Sequence, residues 1–346
     1  MPPARSCPAS ANSVPVVKRR RVLRAVAGAG LALPFLARGA RAAVTWTLFS
    51  QQVNPSSVVA RGLRRMSDQM RDRTHGALLI NVRTAGLMPI DANHVLDAVA
   101  TGKVELGDDA SYGATILPAG VLRLPLLATN TGEWDKVAAV VRPTLIAELE
   151  RRDMVLLAHY RLPLQMFWSR TTATAFADMS RQRLRVHSVE QGEFVRHYGA
   201  VNVITSSAET AEALAAGRLH GTFSAAATFG RQWKSLLKHV YLAGPNFDDA
   251  VIVAGRGAVE RLPEGIAPVL VAAGTDAADW IARTQDAEER QILGALAGEG
   301  LKVTPANAEE IRDGTARLPA YWDSWVRLRG GETENLLASI RLMLDR

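Results

Sequence analysis

The chain has 346 residues, with 41 Lys and Arg, 34 Asp and Glu, one Cys and a formal net charge of +7. Eight of the bases (Arg5, Lys18, Arg19, Arg20, Arg21, Arg24, Arg38 and Arg41) lie in the first 42 residues, which hold no acid; the remainder carries 33 bases against 34 acids, a net charge of −1. That near-neutral balance removes the main compositional argument for nucleic-acid binding, and with Cys7 the one thiol, disulfides, thiolate metal sites and cysteine nucleophiles are excluded beyond residue 42.

The first predicted element is a leader. Lys18-Arg19-Arg20-Arg21-Val22-Leu23-Arg24 precedes an apolar run, Ala25 to Leu36, and then Ala40-Arg41-Ala42-Ala43. A basic n-region, a short apolar h-region and a small-residue cleavage site make a secretory signal peptide over residues 1–42. The apolar run, about a dozen residues, is too short to span a bilayer. Arg19-Arg20 followed by Val22-Leu23 resembles a twin-arginine signal, which exports proteins already folded. The predicted location is therefore the periplasm. No later apolar run approaches about 20 residues, so no membrane span is predicted. The length beyond the leader suggests two domains.

Val44 to Gln52 alternates and is rich in β-formers, which predicts a strand. Asn54-Pro55-Ser56 then caps an amphipathic helix whose apolar stripe is Val58, Leu63, Met66 and Met70, stopped by Gly76. Ala77 to Arg83 is the next strand, His94 to Ala100 a helix ended by Gly102, and Lys103 to Leu106 a short strand. Pro263 to Leu296 is a long helix with Ile266, Val269, Val271, Trp280 and Ile281 as core positions and Glu288, Glu289 and Arg290 on its polar side. Pro305-Ala306-Asn307 caps a further helix, and Tyr321, Trp322 and Trp325 read as packing residues. Strands alternating with helices predict an α/β fold with largely parallel sheets.

One unit recurs. Leu96-Asp97-Ala98-Val99-Ala100-Thr101-Gly102-Lys103-Val104-Glu105 is echoed by Ala211-Glu212-Ala213-Leu214-Ala215-Ala216-Gly217-Arg218-Leu219-His220. Each predicts a helix ending on a left-handed glycine, a basic residue complementing the helix C-terminus, and a strand leading to a loop. Either this is a chance match of two helix ends, or two lobes of similar plan each aim a strand end at a shared cleft.

Enzyme motifs are scarce: there is no H-E-x-x-H, G-x-S-x-G or P-loop. His75, His94, His159, His187, His197, His220 and His239 show no tight metal-ligand spacing. No metal and no cofactor are expected. Asp108-Asp109, read as just past a strand end, is either a ligand acceptor or a solvated loop pair.

The segment Asp178-Met179-Ser180-Arg181-Gln182-Arg183-Leu184-Arg185-Val186 resembles the D-L-K-G-L-K-I-R-V stretch of the TRAP (tripartite ATP-independent periplasmic) transporter solute receptors of the dicarboxylate-receptor type. Tyr198-Gly199-Ala200, Ala208-Glu209-Thr210, Ala213-Leu214 and Gly217-Arg218-Leu219-His220-Gly221 follow a further pattern of that family, as do Thr74-His75-Gly76-Ala77 and Leu124-Pro125-Leu126-Leu127. The likeness covers most of residues 44–255. It implies a two-lobe periplasmic binding protein fold, α/β in class, with a cleft between lobes linked by crossing strands and a long helix. The implied lobes are 44–163 with 250–290, and 164–249 with 291–346.

The resemblance implies a receptor that closes over a small organic acid and docks on membrane subunits of a transporter, with Arg185 bridging the ligand carboxylate. An Arg fork matches a carboxylate bidentately. Alternation places Arg181, Arg183 and Arg185 on one strand face, so spacing alone does not separate them. Four positions depart from the family: Ser224 and His220 replace an asparagine and an aspartate, Ser207 replaces a phenylalanine, and Arg181 replaces a glycine. The candidate ligand contacts are Arg185, Ser224, Phe223, Asp108, Asp109, Trp168 and Ser207. A monomer is expected. The alternatives are a sensor or an ATP-driven importer's receptor on the same fold, or a periplasmic enzyme, against which stands the absence of a catalytic constellation.

Overall fold

The computed structural model describes residues 43–91, 93–205, 207–227 and 231–346. The predicted signal peptide lies outside them. The first part of the chain runs β1 (Val44–Ser50), α1 (Val58–Arg73), β2 (Leu78–Thr84), α2 (Val95–Ala100), β3 (Leu106–Asp109), a 3-10 segment (Leu117–Arg123), α3 (Thr131–Glu150) and β4 (Met154–Leu164). It continues with β5 (Met166–Ser169), β6 (Arg183–Val186), α4 (Val189–His197), β7 (Val201–Ile204), α5 (Ser207–Ala215), β8 (Gly221–Ser224), α6 (Arg231–Trp233) and β9 (His239–Tyr241). The last part is β10 (Phe247–Gly255), α7 (Arg256–Glu260), α8 (Ile266–Gly298), β11 (Lys302–Thr304), α9 (Ala308–Ala316), α10 (Pro319–Arg327) and α11 (Gly331–Leu344).

The strands form two sheets, in the orders β2-β1-β3-β10-β4 and β11-β9-β5-β8-β6-β7. β1 runs parallel to β2 and β3, and β6 runs parallel to β7 and β8; β10 and β5 are the antiparallel members. The two-lobe expectation holds. Only Gln165 separates β4 in the first sheet from β5 in the second. The return path, 242–246, runs beside it: the Gln165 N–H donates to the Asn246 carbonyl at 3.0 Å and the Phe167 N–H to the Ala243 carbonyl at 3.1 Å. Gly244 lies so close to the Gln165 carbonyl that any side chain there would overlap it.

Local chemistry explains the elements. α1 is capped by Ser57, whose hydroxyl accepts the Ala60 N–H at 3.2 Å, one residue past the predicted cap. Its buried face contains Val58, Leu63, Met66 and Met70 as the periodicity requires. Asn307 caps α9, accepting from the N–H groups of Glu309 and Glu310. The recurring unit is real in three dimensions. Gly102 and Gly217 have φ of +69° and +71°, and Lys103 N–H and Arg218 N–H donate back to the carbonyls of Ala98 and Ala213 at 2.9 and 2.8 Å. That turn uses up residues predicted as strand, so β3 starts at Leu106 and includes Asp108 and Asp109 as its last residues.

α8 has 33 residues, about 50 Å at 1.5 Å per residue. Ile281 packs with α1 and the first sheet; Ile292 and Leu296 pack with Met166, Trp168 and Trp233 under the second. Two predicted faces are corrected. Val271 is 39 % exposed, and Glu289 is buried. The helix changes partners along its length, so a single stripe cannot describe it.

The C-terminal pair also departs from the predicted lobes. α10 and α11 pack on α3 and the 3-10 segment of the first lobe, with the Trp322 indole N–H on the Pro125 carbonyl at 3.0 Å and Arg346 paired with Glu133 at 2.9 Å. Buried Trp322 and Trp325 are packing residues, as read. Among the described residues no helix is long and apolar enough to cross a membrane.

Arg181 is not on the strand face predicted for it. It precedes β6 in a left-handed turn, φ +63°, its N–H bonded to the Gly199 carbonyl at 2.9 Å. A side chain there costs on the order of 1–2 kcal/mol relative to glycine, partly offset by the freedom glycine gives the unfolded chain. Arg181→Gly is expected to stabilise the fold by about 0.5–1 kcal/mol, read as a higher Tm in thermal denaturation. An unchanged or lower Tm would mean that the Arg181 side chain contributes as much as its backbone costs.

Candidate ligand-binding site

Strand register decides which side chains share a face. Arg185 pairs with Thr222 across β6 and β8, while Trp168 and Met166 pair with Thr222 and Ser224 across β5 and β8. Paired residues point the same way and successive ones alternate. Arg185, Ser224 and Trp168 therefore share one face of the second sheet, at or near the carboxyl ends of β6 and β8. Phe223 takes the opposite face. It is fully buried, its ring 5.7 Å from Phe167 and 6.0 Å from Phe194. Phe223 is a core residue, and its assignment as a ligand contact is corrected.

Arg185 is 8 % exposed, and its Nε–H donates to the Thr205 carbonyl at 3.3 Å. Among the described residues it forms no ion pair. Burial pushes its pKa below the ordinary guanidinium value, and the charge of Asp248 works against that shift from a distance. By contrast Arg161, equally buried, is paired with Asp286 of α8 at 2.6 Å, and Arg123 with Asp249 at 2.9 Å. Arg183, one step outward, is exposed.

Around Arg185 the ends of β6 and β10 are tied together. His187 Nε2 lies 3.1 Å from Asp248. Asn246 donates to the same carboxylate at 3.1 Å and accepts from Gln191 at 3.2 Å. Burial pushes Asp248 up, but the charge and hydrogen bond of His187, with Arg123 behind, outweigh it and hold the carboxyl below its usual range. Sequence reading weighed His187 only as a metal ligand and passed over Asp248. The one signal was that His187 stands two residues after Arg185.

Trp168 is buried, and its indole N–H donates to the Ser224 carbonyl at 2.8 Å. The Ser224 hydroxyl donates to the Ala225 carbonyl at 3.1 Å. The next two backbone N–H groups, of Ala226 and Ala227, each donate to the Glu289 carboxylate at 2.7 Å. Burial pushes Glu289 up to about 6, against the pull of those two bonds. Ser207 opens α5; its side chain lies outside the described residues.

Asp108 and Asp109 end β3 on the other sheet, buried rather than in a solvated loop, and they point to opposite faces. Asp108 accepts from the Ser50 and Tyr160 hydroxyls at 2.6 and 2.5 Å. Burial raises it to about 6 despite both bonds. Asp109 accepts the Ser111 N–H at 2.6 Å, and burial, with the Asp108 charge adding to it, pushes it up to about 7. Near it, Asp249 gathers Arg123, His159 Nε2 at 2.8 Å and the Tyr112 hydroxyl. Burial pushes Asp249 up, yet Arg123 and these bonds bring it down to about 2. Among the described residues no cluster of His, Cys, Asp or Glu has the makings of a metal site.

This geometry can bind an anion at Arg185. The family model for the bacterial extracellular solute-binding protein, family 7, matches residues 49–327. An extracytoplasmic solute receptor of Bordetella pertussis that binds pyroglutamic acid is 24 % identical, with TM-score 0.76, covering 86 % of this chain and 100 % of its own. A TRAP periplasmic solute binding protein of Ochrobactrum anthropi is 17 % identical, with TM-score 0.80, covering 88 % and 96 %. One of Chromohalobacter salexigens, with bound D-glucuronate, is 14 % identical, with TM-score 0.76, covering 86 % and 99 %. No curated protein matches the sequence.

The buried acids set a pH signature. Asp109 has a folded pKa raised to about 7, against about 4 when unfolded. The folded state then binds the extra proton, so this contribution is fully present below pH 4 and lost as pH rises through 7, at up to about 1.4 kcal/mol per pH unit. Asp249 has the opposite sign: its contribution is present above about pH 4 and lost as pH falls toward 2. Asp109→Asn is expected to match the wild type in Tm near pH 4 and to exceed it at pH 8. A constant difference across that range, by calorimetry, would show that Asp109 does not titrate there.

Proposed function

Because the chain belongs to the bacterial extracellular solute-binding proteins, family 7, we propose that the solute it captures is a small organic acid whose carboxylate is bridged by Arg185. The protein is an extracytoplasmic solute receptor of the TRAP type, delivering what it binds to a membrane transporter. The observation that carries the ligand class is the state of Arg185: a buried guanidinium, aimed along the sheet end, with no ion pair among the described residues. Burying an uncompensated charge costs several kcal/mol, and a carboxylate presented bidentately offsets that cost. Related receptors were solved with pyroglutamate, orotate and glucuronate. Each is a cyclic acid with one carboxylate, and such a ligand suits one uncompensated guanidinium.

In this reading Ser224 and Trp168 stand beside the ligand on the Arg185 face, Ser207 at the rim, and Asp108 and Asp109 across the cleft. The lobes close by bending at the crossing beside Gly244, since few residues need to absorb the change there. No bond is made or broken, and the protein acts as a monomer without a cofactor. Residues 1–42 direct export through the twin-arginine route. Replacing Arg19 and Arg20 with Lys is expected to leave precursor in the cytoplasm, seen by fractionation. Undiminished export would move the protein to the general secretory route.

Arg185→Ala is expected to weaken binding of the preferred acid among pyroglutamate, orotate and glucuronate by roughly 30-fold to several thousand-fold in calorimetry. Arg185→Lys should also weaken it, because an ammonium lacks the fork. Arg183→Ala, on an exposed base, should bind as the wild type does. Equal, small effects at both arginines would remove Arg185 from the site.

A further inference from the structure

α8 carries three carboxylates within one turn, and each reaches a different element. Asp286 holds Arg161 of β4 at 2.6 Å, Glu288 holds Arg61 of α1 at 2.5 Å, and Glu289 takes the N–H groups of Ala226 and Ala227 at 2.7 Å each. The first two anchors lie in the first lobe and the third in the second. The turn is thus the place where the helix passes from one lobe to the other.

Glu289 differs from its neighbours. Asp286 and Glu288 stay about one-third exposed, whereas Glu289 is 8 % exposed. The cluster nearest it is apolar, with Met166, Trp168, Ala226, Trp233 and Ile292. A carboxylate in such surroundings is costly unless its oxygens are satisfied. Two successive backbone N–H groups satisfy one oxygen each, and such charge-assisted bonds are short and directional. The gripped backbone begins two residues after Ser224, whose carbonyl accepts the Trp168 indole N–H.

We propose that Glu289 is a positioning residue of the binding site: its carboxylate clamps the backbone after β8 to α8, and so fixes the Ser224 end of the cleft to the helix shared by both lobes. This rests on the reading that the ligand sits at the carboxyl ends of β6 and β8. Glu289 does not touch the ligand. It holds the wall against which the ligand is gripped, and any shift of α8 is passed directly to that wall.

The test compares Glu289→Gln, Glu289→Leu and the control Glu288→Gln in the full chain. Gln keeps one acceptor oxygen and turns the second contact into a clash of donors; Leu keeps neither. Hydrogen exchange at Ala226 and Ala227 is expected to accelerate by about tenfold in the Gln variant and more in the Leu variant, for loss of one and then both bonds. Affinity for pyroglutamate, orotate and glucuronate, measured by calorimetry on folded protein, should fall in the same order. Glu288→Gln should change neither. Faster exchange with unchanged affinity would reduce Glu289 to a structural role and overturn the proposal, as would unchanged exchange. If Arg185→Ala binds as tightly as the wild type, or the wild type binds none of the three acids, the reading of the site fails; the exchange data alone then decide whether the clamp exists.

Discussion

The crossing of the chain between its two sheets constrains everything else. β4 passes into β5 through Gln165 alone, and the return from β9 to β10 lies against it by backbone hydrogen bonds, with the Leu126 N–H on the Pro245 carbonyl at 2.7 Å closing one side. β4 and β10 belong to one sheet and β5 and β9 to the other, so the two crossings tie the sheets together through backbone alone. The close approach at Gly244 makes the crossing tight. α8 supplies the second link, and its carboxylates fasten it to both sides.

Buried charge is distributed unevenly about that crossing. Arg161 and Arg123 have carboxylate partners inside the fold, so their desolvation is compensated. Among the described residues Arg185 has no such partner. A fold that keeps such a group gives up stability at that position and gains an electrostatic preference for an incoming anion. The His187–Asp248 pair, beside it, joins the sheet end that carries Arg185 to the strand that leaves for the other lobe.

Much of this was legible in the sequence. The amphipathic stripe of α1, the paired glycine turns and the alternation of strands and helices are local patterns, and local patterns survive folding. Arg185 was separated from Arg181 and Arg183 only by resemblance; the structure separates them physically, one exposed and one in a left-handed turn. What was missed is non-local. Asp249 gathers Tyr112, Arg123 and His159 from 90 to 137 positions away, and no spacing rule announces such a hub. Glu289 was assigned to a polar face because helical periodicity assumes one environment along the helix, whereas α8 has two. Phe223 and Ser224 were grouped together although strand parity sends neighbours to opposite faces.

The twin helix–glycine–strand units carry an evolutionary consequence. Their shape is fixed by backbone bonds from Lys103 and Arg218 to the helix carbonyls and by two left-handed glycines, and the identity of the strand-end side chains does not enter. Frame and selectivity are thereby separable. A residue such as Ser224, one strand away from the turn that aims it, can be exchanged for another polar group while the strand that delivers it stays where it was. Descendants of one ancestor can then change what the strand tips present, with the architecture inherited intact.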